Sequence, residues 1–153
     1  MITTIAVDPG KSGGVAFHNE RDGIYVAHNL YPITDLLETM ETLRESGSRM
    51  QMVVEDIPPF TGNLIPGASA FKMGVSFGLI QGIALGERIS CFKITPKNWQ
   101  KGLSGLTKLK GSKRKQALRD TCRRLYPDLK PTLSTCDAIL IMHQYLACKA
   151  LAK

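Results

Sequence analysis

Residues 2–17, ITTIAVDPGKSGGVAF, constrain the fold of this chain more than any other stretch. A run of β-branched and aliphatic residues ends at Val7, and a carboxylate, Asp8, follows directly. Pro9 and Gly10 then turn the chain, and residues 14–17 resume a strand pattern. Aliphatic runs bounded by Pro and Gly are the signature of strands and tight turns. A buried first strand holds the acid at its mouth rigidly, and Gly10, Ser12, Gly13 and Gly14 leave room for bulky charged groups. Taken alone, the simplest reading is a hairpin whose Asp8 caps the Pro-Gly turn.

Two phosphate-binding readings of the same stretch fail. Gly10-Lys11-Ser12 resembles the end of a P-loop, but that loop needs glycine where this chain has Ile5. The D-x-G turn of actin-like ATPases and sugar kinases requires two facing domains, and 153 residues supply one. No window approaches an uninterrupted membrane span, and no secretory leader opens the chain, so the expectation is a cytosolic, nucleoid-associated, phage-encoded or organelle protein. Cys91, Cys122, Cys136 and Cys148 form no CxxC pair and read as small buried hydrophobes in a reducing compartment. Charge is more informative. Residues 1–88 carry 6 Lys/Arg and 10 Asp/Glu, net −4, whereas residues 89–153 carry 14 and 3, net +11. Such asymmetry points to a polyanion contacted mainly by the C-terminal half.

Along the chain, residues 23–30 (GIYVAHNL) alternate as a third strand, completing an antiparallel meander. Thr34 or Asp35 caps a helix to about Ser46, with Leu36, Leu37, Met40 and Leu43 on one face and Gly47 ending it. Residues 51–57 (QMVVEDI) form the next buried strand, stopped by Pro58-Pro59, with Glu55 near its end. A helix between two strands implies a parallel crossover, which places Asp8 and Glu55 at one edge of the sheet. Open α/β sheets carry their sites at that edge. Taken alone, Glu55-Asp56 is an acidic strand exit facing water. The loop 58–68 (PPFTGNLIPGA) exposes Phe60, Leu64 and Ile65, which either cover the sheet end or insert into distorted nucleic acid.

The helix over 69–87 carries Gly74, Gly78, Gly82 and Gly86, extended back by Ala70. Each interior glycine costs roughly 0.5–1 kcal/mol against alanine. A spacing of four keeps them on one face, where another backbone can come close. Two readings stand: tight packing on the chain's own sheet, or contact with a second copy across a two-fold axis. A fifth strand, 89–94, leads into a basic section, 93–130, with 12 Lys/Arg against Asp120 and Asp128. Pro96 and Trp99 open a short helix; Lys101, Lys108, Lys110, Lys113, Arg114 and Lys115 surround a GLSGLTKLKG linker; Ser112 starts a helix through Leu125. Such residues settle along a phosphate backbone, giving salt-sensitive affinity without sequence information. The last helix, about 135–150, has Asp137 in its first turn, where an acid suits the helix dipole. Its remainder is apolar on most sides and therefore buried. His143, six positions on, reads as a packed or surface histidine rather than a ligand.

Asp8, Glu55 and Asp137 thus stand on three separate elements. With AVDPGKSGGVAF, VVEDIP, ASAFKMGVSFGLIQG, the SKRKQA linker and CDAILIMHQY, they resemble the RNase H-like nucleases, and specifically the RuvC-type Holliday-junction resolvases. The resemblance spans essentially the whole chain, and PKNWQK is similar to the phage and chloroplast branches. It implies an α/β fold, an RNase H-like mixed five-stranded sheet (antiparallel meander plus parallel strands) flanked by helices, as one domain over 1–153. It further implies a homodimeric, Mg²⁺-dependent endonuclease, with Mn²⁺ as a substitute, that cuts four-way DNA junctions by paired symmetric nicks. Asp8 then bridges two ions, with Glu55 and Asp137 each holding one side. Lys115, or Lys101, steadies the charged phosphate, Phe60 lies near the junction centre, and Lys101, Lys108, Lys110, Lys113, Arg114 and Lys115 contact DNA. The helix over 69–87 is the candidate dimer element. One departure stands out: the family's fourth ligand, Asp or His three residues before the last acid, is Ser134 here. Water, Asp56 or Asp128 would have to take its place. The rivals are a hybrid-specific RNase H and a junction-binding protein that does not cut.

Overall fold

Strand alternation decides the layers of this molecule. The computed structural model describes residues 1–57, 66–103 and 109–151. In β1 (Ile2–Val7), Ile5 and Val7 point into one core and Ala6 into another, all fully buried. β2 (Gly14–Asn19) and β3 (Gly23–Asn29) follow as an antiparallel meander, with a register shift at Phe17/His18. Helix α1 (Ile33–Glu45) crosses to β4 (Arg49–Glu55), and α2 (Gly67–Gly86) crosses to β5 (Ser90–Ile94), both strands running parallel to their inner neighbour. The sheet order is β3-β2-β1-β4-β5, with β1 central. The expected mixed five-stranded sheet with flanking helices is therefore what the chain forms.

Helices cover both faces. Leu36 and Met40 of α1 and Ile80 and Ala84 of α2 pack on Ile5, Val7, Val15, Phe17, Met52 and Val54. On the other face lie α3 (Pro96–Trp99), α4 (Gly111–Leu125) and α5 (Cys136–Leu151). Residues 138–142 of α5 are wholly buried against Ala6, Ala16 and Val53. Two alanines on neighbouring strands let that helix approach the sheet closely, which is why its start is fixed relative to the strand ends.

Several local expectations need correction. α1 is preceded by Pro32 without a side-chain cap; Asp35 lies within the first turn, and Leu37 faces solvent. Only Cys122 and Cys136 are buried; Cys91 is half-buried and Cys148 exposed. α2 buries one line, Ser76, Ile80 and Ala84. Among the described residues, a Cβ placed on Gly74, Gly78, Gly82 or Gly86 would meet nothing within 4 Å, which removes the reading of tight packing on its own sheet. Phe71, Val75, Leu79 and Leu85 on this helix are also exposed. Contrary to the sequence expectation, α2 is long and apolar enough to cross a membrane by length and composition, with 17% of its window buried. Its glycines are nearly neutral in hydropathy, so they dilute the apolar run without breaking it.

Candidate active site

The register of the two central parallel strands builds half of the site. Val7 pairs with Val54, so Asp8 and Glu55 follow paired residues at the same end of adjacent strands. Ala6 and Val53 face α5, and a period of two turns Asp8 and Glu55 to that same side. The Asp8 amide donates to the Gly14 carbonyl at 3.0 Å, continuing the ladder beyond the strand. Its side chain does not cap the Pro-Gly turn. It hydrogen-bonds Glu55 instead.

The third acid arrives because glycine leaves room for it. A Cβ on Gly14 would lie 2.5 Å from the Ser134 carbonyl oxygen and 2.9 Å from the Thr135 Cα. On Gly13 it would lie 1.9 Å from the Asp8 carbonyl oxygen. Thr132 and Thr135 lock the entry to α5, each backbone amide donating to the other's hydroxyl at 3.0 and 3.2 Å. Asp137 then sits in the first turn of α5. Lys115 of α4 donates to its Oδ2 at 3.3 Å, and the Cys136 thiol donates to its Oδ1 at 3.2 Å.

Buried carboxylates at this spacing cannot all ionise cheaply. Burial, then the charges of Glu55 and Asp137, push the Asp8 carboxyl well above its ordinary value, against the pull of Lys115. Burial also raises Glu55, although the Trp99 hydrogen bond opposes it. Both carboxyls are thus held above the ordinary carboxylate range, chiefly by burial. Burial works against the Lys115 ammonium, but Asp137 and Asp8 outweigh it and its pKa rises. Desolvation pushes the neighbouring Cys122 thiol up to about 12 and Cys136 higher still, so neither is a thiolate near neutrality.

Sequence reasoning missed Trp99. Its ring is 1% exposed, and its Nε1–H donates to Glu55 Oε1 at 2.8 Å. Glu55 pairs with Ile94 at the end of β5, and Thr95 caps the next short helix by accepting from the Asn98 amide at 3.3 Å. The available signal was positional: the only tryptophan follows closely on a strand that neighbours the Glu55 strand.

Other predicted residues lie farther out. Lys101, Lys110 and Lys113 are exposed. Lys101 lines a cleft of about 720 Å³ with Lys97, Asn98, Gln100, Leu103 and Arg114, and Arg114 bonds Gln100. Phe60 and Lys108 lie outside the described residues. Neither Asp56 nor Asp128 is among the charges acting on Asp8 or Glu55. Ser134 brings its carbonyl against Gly14. Among the described residues, no three His, Cys, Asp or Glu side chains form a ready ligand set. The donor chemistry nevertheless fits a hard divalent cation, since Asp8, Glu55 and Asp137 are oxygen donors close enough for the last two to raise the Asp8 pKa, and Lys115 pairs with Asp137.

No protein-family model matches the sequence, and no curated protein matches it. Among solved structures, the chain is similar to Thermus thermophilus RuvC, at 16% identity and TM-score 0.55, over 97% of this chain and 96% of that one. It is similar also to T. thermophilus RuvC in complex with a Holliday junction substrate, at 14% identity and TM-score 0.56, over the same shares. At this identity the likeness concerns the fold: the chain has the architecture of RuvC.

Proposed function

We propose that this protein is a structure-selective endonuclease that resolves four-way DNA junctions by paired symmetric nicks. The observation that carries the reading is the gathering of Asp8 and Glu55, from paired strand ends, with Asp137, from the helix packed over them. The RuvC-like fold and a solved RuvC–Holliday junction complex support the choice of substrate. Asp8, Glu55 and Asp137 would hold Mg²⁺ or Mn²⁺, which supplies charge neutralisation and water activation in phosphodiester hydrolysis. The buried acids bind and orient. Lys115, paired with Asp137, adds a positive group for the charge that builds on the phosphate. The exposed lysines of the C-terminal half seat the backbone. The open glycine face of α2 serves as the contact with a second copy, bringing two sites to one junction.

A second reading, a junction binder that does not cut, is favoured by one observation. Both Asp137 oxygens already accept hydrogen bonds, and Ser134 replaces the expected fourth ligand. Labelled four-way junction, linear duplex and RNA–DNA hybrid, each with and without Mg²⁺, separate the readings. Symmetric nicks in the junction alone, dependent on Mg²⁺, are expected. A shifted but intact junction supports the binder, and hybrid cleavage supports an RNase H.

A further inference from the structure

The carboxylate of a glutamate turns freely about its last bond, because terminal torsions of this kind have broad wells. Burial alone therefore does not fix which oxygen Glu55 presents. Trp99 is 1% exposed and packs in the same core as Ala6, Val53 and residues 138–142 of α5. An indole has few rotatable bonds and one polar atom, which donates only. That atom lies 2.8 Å from Glu55 Oε1. Its carrier, α3, is four residues long, too short to stand alone, and is held by the Thr95 cap and by its contacts with α5. The outer side of this short segment is the basic cleft with Lys97, Lys101 and Arg114.

We propose that Trp99 is a positioning residue: its indole N–H pins one oxygen of Glu55 and fixes the plane in which that carboxylate faces Asp8. The inference rests on the nuclease reading and deepens it. A donor that cannot itself bind a cation orients the acid without competing for the ion, as partners behind ligating groups do elsewhere. Simple core filling would be served by any ring of this size; the N–H is what distinguishes the two roles.

The test uses the full chain and Mn²⁺ as the probe, with binding followed by electron paramagnetic resonance and junction cleavage measured alongside. Trp99→Phe removes the N–H and some volume. Replacing Trp99 with benzothienylalanine removes the N–H while keeping the shape, so it decides the matter if the Phe variant folds poorly. Both replacements are expected to weaken Mn²⁺ binding about 10–100-fold, with cleavage recovering as Mn²⁺ is raised. The benzothienyl protein should still melt cooperatively, somewhat below wild type, because a buried carboxylate oxygen loses its donor. Wild-type Mn²⁺ affinity and cleavage in the benzothienyl protein would overturn the inference alone. A wild-type chain that neither takes up Mn²⁺ nor cuts the junction would overturn the nuclease reading, and this inference with it.

Discussion

Burial and the charges of Glu55 and Asp137 raise Asp8 well above its ordinary value, and that shift has measurable consequences. The folded-state pKa values of Asp8 and Glu55 both lie above ordinary carboxylate values. The folded chain therefore keeps protons that the unfolded chain has released. This contribution to stability is full below the ordinary carboxylate range, about pH 4, and is lost as pH rises through the raised values. Lys115 follows the same direction in a different window: its pKa is also raised, so its contribution persists through neutrality and fades only in alkali, above about pH 10. Thermal melts in chelator should therefore fall from mildly acidic to neutral pH, and Mg²⁺ should restore more at neutral pH than in acid. Asp8→Asn removes the group with the largest penalty. It is expected to flatten the profile, raise the chelator melting temperature near neutrality and abolish cleavage while junction binding persists. A wild-type melt independent of pH over that range, or a cleaving Asp8→Asn protein, would contradict this account. At this scale the three acids were legible because each stands at an element boundary marked by Pro, Gly or helix start. Trp99 was not, because a hydrogen bond between side chains 44 residues apart leaves no local pattern.

At the scale of elements, the two kinds of glycine act in opposite ways. Gly14 is a contact. A methyl group there would press into the backbone at Ser134 and Thr135. Gly14→Ala is expected to cost about 1–3 kcal/mol, typical of overpacking, and to cut activity further by displacing the start of α5. Denaturant melts and cleavage rates read both, and an alanine protein as stable as wild type would remove the close approach from the explanation. Among the described residues nothing lies within 4 Å of a Cβ placed on an α2 glycine, and the role proposed for this face is contact with a second copy. Gly78→Leu should leave the helical signal of the fold unchanged but shift sedimentation toward monomer, or give insoluble protein. A soluble dimer of normal stability would count against this face. The four-residue spacing was readable from sequence, but which way it pointed was not. That depended on the line Ser76, Ile80 and Ala84 winning the sheet. Strand positions were likewise plain, since aliphatic runs ended at Gly and Pro. The α1 cap was misread because Pro32, with its fixed φ, starts that helix before Thr34 can.

For the molecule as a whole, charge and topology divide the labour. The net +11 of residues 89–153 belongs to the same chain as a buried group of acids at the sheet edge, so attraction for a polyanion and the acidic site rest on different residues. Contact with six to ten phosphates would cost about 10³–10⁵ in junction affinity between about 50 and 200 mM salt. Titrations across that range in chelator should show this steep slope, and an affinity indifferent to salt would exclude backbone contact as its source.

Asp8 and Glu55 extend β1 and β4, and both strands have hydrogen-bonded neighbours on either side. Amides in such interior strands exchange with solvent only when the entire cooperative unit opens. The two acids therefore cannot drift apart by fraying at a periphery, and under the proposed function any yielding on engagement with a junction would belong to the nucleic acid or to the helical surround.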